Sequence, residues 1–148
     1  MAGRATHGKI RLMRVLLDTN IVLDVLLNRD PWVKEATLIW RAIDDNRLEG
    51  YIVASSLTDI FYIARRLAGI DKARAAVRIC LDAFQICTVN RQALEAAERL
   101  PDSDFEDNLQ IACAHLESLD AIVTRDRGGF TGSTMPVLSP ADLLTHLT

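Results

Sequence analysis

Arg14-Val15-Leu16-Leu17-Asp18-Thr19-Asn20 reads as a strand that stops on a turn: a short β-branched and aliphatic run is ended by residues that favour caps and turns. Ile21 to Leu27 then recovers helical spacing, so the segment is strand, turn, helix. A carboxylate, Asp18, stands where the strand ends.

The same unit repeats along the chain. Pro31 marks an expected first helical position, and Trp32, Ala36, Ile39, Trp40 and Ile43 recur at helical intervals up to Asn46. After Gly50, Tyr51-Ile52-Val53-Ala54 reads as a buried strand, and Ser55-Ser56 opens a helix bearing Leu57, Ile60, Phe61, Ala64 and Leu67. Beyond Gly69 the pattern predicts a helix over 71–83, a strand over 84–89 and a helix over 91–100. Pro101 breaks the chain, Ser103 or Asp104 caps a helix running to about Ser118, and Ala121-Ile122-Val123-Thr124 is a fourth strand. A glycine-rich loop over 125–136 leads to a short edge strand, Val137-Leu138, and a last helix opened by Ser139-Pro140. Strands separated by helices predict right-handed crossovers and a mainly parallel sheet with helices on both faces. In such α/β folds sites lie beyond the carboxyl ends of the strands.

The side chains at those ends are acidic. Asp18 follows the first strand, Asp59 lies one turn into the helix after the second, Asp107 one turn into the helix before the fourth, and Asp126 two residues beyond it. Carboxylates gathered in this way repel one another unless a hard cation sits among them. Oxygen donors without thiolate or imidazole point to Mg²⁺ or Mn²⁺, and such an ion suits phosphodiester hydrolysis. Each acid also has a simpler reading. Ser56 with Asp59, and Asp104 with Asp107, fit capping boxes, and Asp18 and Asp126 fit turn positions.

Composition bounds the answer without choosing it. The 148 residues suit one domain, and 17 Lys+Arg against 20 Asp+Glu give a net charge of -3, so any nucleic-acid contact must be local rather than a bulk electrostatic effect. Cys80, Cys87 and Cys113 are odd in number and lack a C-x-x-C pair, which suggests buried thiols rather than disulfides or zinc. Asp18 and Asp24 interrupt the longest apolar stretch, so neither a membrane span nor a signal peptide is expected, and a cytoplasmic location follows. Residues 1–12 read as a disordered extension and 13–148 as the domain.

Leu16-Leu17-Asp18-Thr19-Asn20 resembles the opening signature of PIN domains. Ser55 to Asp59 resembles their second motif, Asp107-Asn108-Leu109-Gln110-Ile111-Ala112 the third and Thr124-Arg125-Asp126 the fourth. The resemblance spans about Met13 to Leu147. It implies a three-layer Rossmann-like sheet of about five parallel strands and a Mg²⁺ or Mn²⁺ ribonuclease, often the VapC-type toxin of a toxin–antitoxin pair. By the same resemblance Asp18, Asp59, Asp107 and Asp126 would hold the metal or its waters. Thr19 and Asn20 would orient Asp18, Thr124 would bond a carboxylate or a metal-bound water, and Asp104 would be an extra acid. Asp59 departs from the pattern, since the family more often has Glu there. An RNA substrate, an antitoxin partner and a homodimer formed through the early helices are further expectations.

Arg125 and Arg127 flank Asp126 and are candidates for RNA phosphates, as are Arg65, Arg74 and Arg78 on the central helices, against the simpler reading of a solvated face. His7, His115 and His146 lack a catalytic context, so water rather than the ribose 2′-OH is the expected nucleophile, with 5′-phosphate and 3′-OH products. Trp32, Trp40, Phe61 and Tyr62 are expected in the core. The competing classes are a non-catalytic PIN module that binds RNA or a protein, an orphan nuclease without an antitoxin, and a haloacid-dehalogenase-like phosphatase. The last needs an acid two residues after the nucleophile, where this chain has Asn20.

Overall fold

The computed structural model describes residues 11–147. The expected extension falls mostly outside this range, as do His7 and Thr148; Arg11, at its end, pairs with Asp120 at 2.9 Å. Five strands, β1 (Arg14–Leu17), β2 (Glu49–Val53), β3 (Gln85–Cys87), β4 (Ala121–Val123) and β5 (Val137–Leu138), form one parallel sheet in the order β3-β2-β1-β4-β5. The helices are α1 (Thr19–Leu26), α2 (Val33–Asp44), α3 (Ala54–Ala68), α4 (Ile70–Ala83), α5 (Arg91–Glu98), α6 (Phe105–Leu116) and α7 (Pro140–Leu147), with a 3₁₀ turn at Arg127–Phe130. The expected α/β three-layer class is the observed one.

Both faces of the sheet are covered, which is why its strands are almost wholly apolar. Successive strand residues point to opposite sides. Val15, Leu17, Ile52, Ala121 and Val123 pack with residues of α1–α4 and α7, whereas Leu16, Tyr51, Val53, Cys87 and Ile122 pack with α5 and α6. All three cysteines are free and buried, and burial pushes the Cys80 and Cys87 thiols up to about 12.

Several boundaries differ from the expected ones. α2 begins at Val33 rather than at Pro31, because Val33 N–H donates to Arg29 O and closes a turn first. α3 starts on Ala54, directly off the strand and without a side-chain cap, so Ser56 lies inside the helix. Strand pairing ends at Cys87, two residues short of expectation, and α5 ends at Glu98. Between α3 and α4 the chain turns on Gly69 at φ +94°, a conformation that a side chain would strain.

The chain moves outward from β1 to β2 and β3, then returns to the other edge of β1 as β4. Such a switch point leaves a crevice beyond the carboxyl ends of the strands that flank it. Ile52, fully buried in β2, should cost roughly 2–5 kcal/mol when changed to Ala, whereas Leu67→Ala on exposed α3 should cost under about 0.5 kcal/mol. Urea denaturation of the two variants checks this; equal costs would contradict the core assignment.

Candidate functional site

A cleft of about 440 Å³ opens at the crevice and is lined by Asp18, Asp59, Asp104, Glu106, Asp107 and Asp126, together with Thr19, Asn20, Gln110, Tyr62 and Phe130. Four acids spread over more than a hundred residues of sequence thus meet in one pocket.

Asp18 is the most constrained of them. Its backbone N–H continues the ladder by donating to Val123 O at 3.0 Å, which fixes the residue to β4. The residue is 7 % exposed and opens the turn into α1 through its carbonyl, which accepts from Ile21 N–H, but its side chain makes no cap bond and is left for the cleft. Gln110 Nε2 donates to Asp18 Oδ1 at 3.2 Å, and Thr124 Oγ1 donates to Oδ2 at 2.8 Å. The Thr124 hydroxyl also accepts from Asp126 N–H at 3.0 Å, so one buried oxygen joins two of the acids. The Thr19 hydroxyl bonds Ser56 rather than Asp18, in a 2.7 Å hydrogen bond that ties the start of α1 to α3 and its Asp59. Asn20 lies on the cleft wall and accepts from Arg29 Nη2 at 3.4 Å.

The capping alternative splits unevenly. Asp104 does cap α6, its Oδ1 accepting from the Glu106 and Asp107 amides at 2.9 and 3.2 Å. Asp107 does not close a box, because the Asp104 N–H donates to Asp102 instead, and its carboxylate is left for the cleft. Asp59 cannot cap either, since α3 has already begun. Asp107 lies against Gly129, where a Cβ would meet its Oδ2 and push the carboxylate aside.

Two residues escaped sequence reasoning. Glu106 hydrogen-bonds Asp59, and that bond, ahead of burial and the charges of Asp59, Asp104 and Asp107, pushes its carboxyl up to about 8. Gln110 is buried on an otherwise apolar stretch, Leu109 to Ala114, and that lone polar side chain was the available signal. Its Oε1 has no protein partner. Burial first, then the charges of Asp104, Asp18, Asp102 and Asp126, raise the Asp107 carboxyl to about 7.

The candidate cations fare differently. Arg125 is already engaged within the fold: its guanidinium makes a forked pair with buried Asp24 at 2.9 and 3.2 Å and lies 3.8 Å over the Trp32 ring. Arg127 pairs with Asp142 at 3.3 Å and Arg78 with Asp82 at 3.0 Å, both on the surface. Arg65 and Arg74 are exposed on α3 and α4. Among the aromatics expected in the core, Trp40 packs on Phe84, but Tyr62 is 58 % exposed on the cleft wall. His115 bonds Thr134 and His146 bonds Asp142 O, both outside the cleft.

Among the described residues no three Asp, Glu, His or Cys side chains close into a ready-made ion cage. The donor set nevertheless suits a hard divalent ion that keeps several of its own waters: every acid on the cleft offers oxygen, six carboxyl groups line it, and the cleft has room for solvent.

The family profile described as the PIN domain matches residues 14–128, which includes all four acids. The chain belongs to the PIN-domain family. A chain of VapBC2 from Rickettsia felis, solved bound to a DNA fragment from its promoter, is similar in fold, with TM-score 0.65, 15% identity, and coverage of 86% of this chain and 98% of that one. A toxin–antitoxin complex from Klebsiella pneumoniae gives TM-score 0.62 at 22% identity, covering 85% and 97%. VapC20 of Mycobacterium tuberculosis, described as a toxin that cleaves the sarcin–ricin loop, gives 0.63 at 16%, covering 76% and 90%. No curated protein matches the sequence significantly.

The raised carboxyls carry a pH signature. Between about pH 4 and 8 the metal-free fold holds more protons at Glu106 and Asp107 than the unfolded chain does, so its stability falls as pH rises through that window. Thermal melts of metal-free protein should show a falling midpoint from pH 5 to 8, flattened in Glu106→Gln/Asp107→Asn. Mn²⁺ should raise the midpoint more at pH 8 than at pH 5. A slope unchanged in the double variant would contradict the assignment.

Proposed function

We propose that this PIN domain is a Mg²⁺- or Mn²⁺-dependent endoribonuclease, and the observation that carries the proposal is the meeting of Asp18, Asp59, Asp107 and Asp126 in one cleft around uncompensated charge. In this reading these four acids hold the ion or its waters. Bound there, the ion would polarise the phosphoryl group and ease deprotonation of water. Thr124 and Gln110 fix both oxygens of Asp18, so that carboxylate loses little freedom when it takes up its load. Glu106 lends Asp59 a second carboxyl, which offsets the methylene that Asp59 lacks relative to the usual Glu. Water adds to phosphorus, the P–O3′ bond breaks, and the departing oxygen takes a proton. Solvent in the open cleft supplies that proton. Among the described residues no histidine lines the cleft, in keeping with water as nucleophile and with 5′-phosphate and 3′-OH ends.

End-labelled RNA incubated with Mn²⁺ should be cut by the wild type and spared when chelator is present. Asp18→Asn and Asp126→Asn should each lose roughly 100-fold or more, since even indirect partners of metal sites cost 10–100-fold. Equal cleavage by all preparations would end this reading. A non-catalytic module that binds RNA or protein is the second reading, favoured by Asp59 standing where the family more often has Glu. Calorimetry showing no Mn²⁺ uptake at millimolar metal would favour it.

The fold shared with proteins of toxin–antitoxin complexes supports a toxin role, with a small antitoxin as partner. An apolar groove of about 260 Å³ between α1, α3 and α4, bordered by Leu26, Leu27, Ala68 and Ile79, suits the apolar stripe of an amphipathic helix. Self-association through the same early helices is the homodimer counterpart of this reading. Induced expression should arrest growth, and co-expression of a small adjacent gene should relieve the arrest. Unimpeded growth would instead favour an orphan nuclease.

A further inference from the structure

Asp24 is a fully buried carboxylate that lies outside the acid cleft and plays no part in the chemistry above. It sits on the buried side of α1 and takes three contacts. Arg125 Nε donates to Oδ2 at 2.9 Å, Arg125 Nη2 donates to Oδ1 at 3.2 Å, and Arg29 Nε stands 3.2 Å from Oδ1. Trp32 covers the outer face of the Arg125 guanidinium, with Cζ 3.8 Å from the ring centroid.

Taking a carboxylate out of water is costly even when it is paired, and apolar residues of similar volume often pack as well. A network retained at such a cost therefore invites a question about what it holds in place. Its two arms answer that. Arg125 immediately precedes Asp126, and Arg29 reaches Asn20 on the cleft wall. The Asp126 carboxylate itself receives no hydrogen bond among the described residues. Its place depends on the adjoining chain, which is held at Asp126 N–H by Thr124 and at Arg125 by the side-chain fork to Asp24. Asp126 begins the turn into 127–130 at φ -128° and ψ 83°, where no regular element would otherwise hold it.

We propose that Asp24 is a positioning residue: through the Arg125 fork, clamped by Trp32, it fixes where the Asp126 carboxylate stands over the cleft. The proposal rests on the nuclease reading for its consequence in catalysis, but the geometric claim stands apart from it. An arginine is required at 125, because only a planar fork can grip both carboxylate oxygens while stacking on an indole.

Asp24→Asn and Arg125→Lys are the test variants, compared with Asp126→Asn and the double variant Asp24→Asn/Asp126→Asn. Should Asp24→Asn fail to fold, Arg125→Lys keeps a cation beside the buried carboxylate and carries the test alone. Asp24→Asn and Arg125→Lys should each lower kcat for RNA about 10- to 100-fold and raise the half-saturating Mn²⁺ concentration, with KM for RNA within twofold of wild type. The double variant should lose no more than Asp126→Asn alone, because the two act through one carboxylate. Losses that multiply, or variants that lower the melting midpoint yet keep wild-type kcat and Mn²⁺ dependence, overturn the proposal. A wild type inert towards both Mn²⁺ and RNA ends the nuclease reading instead. The ¹³C carboxyl resonance of Asp126, which needs neither metal nor substrate, then decides the positioning claim: it should move in Arg125→Lys and stay put in a Trp40→Phe control, and an unmoved resonance refutes it.

Discussion

β1 is hydrogen-bonded along both edges, to β2 on one side and β4 on the other, and the placement of the acids follows from that arrangement. A parallel strand flanked in this way is covered above and below, so Val15, Leu16 and Leu17 are apolar, and the first polar side chain the chain can present is the one just past the sheet. That residue is Asp18. The register pairing Leu17 with Val123 brings Thr124 and Asp126 to the same level, and α3 leaves β2 without an intervening loop, which delivers Asp59 from the other side.

Two kinds of buried or half-buried carboxylate then coexist a short distance apart. Asp24 is neutralised by two arginines and works as a fastening. The acids of the cleft are left facing one another, and the carboxyls of Asp107 and Glu106 respond by holding protons that carboxyls normally release. Local compensation favours the fold, whereas its absence leaves a demand for positive charge that a ligand can meet. Natural sites often carry this sort of unfavourable electrostatics because function needs it, and stability is recovered elsewhere in the core. The Thr124 hydroxyl, the Gln110 amide and the Arg125 fork are the parts that keep the repelling groups from moving apart.

Much of this was legible from residue order. Strand alternation with helices, turn residues after the first apolar run, and acids recurring just past strand ends were enough to expect a parallel α/β sheet and a pocket of carboxylates. Side-chain partnership was not legible. Arg125 looked available to RNA because it adjoins Asp126, yet a buried Asp24 claims it; Asp24 stands out as an acid within the apolar run Ile21 to Leu27, but local pattern does not name Arg125 as its partner. Tyr62 fits the helical stripe of the core but falls at the edge where α3 meets the cleft.

The amino-acid order by itself determined the elements, their alternation and the identity of the acids, because hydrophobic period and turn chemistry act over a few residues. Only the tertiary structure decided which acids cap and which are free, that Glu106 joins Asp59, and that Asp24 governs the residue beside Asp126. Those outcomes depend on distances between side chains up to a hundred positions apart, and local pattern carries no record of them.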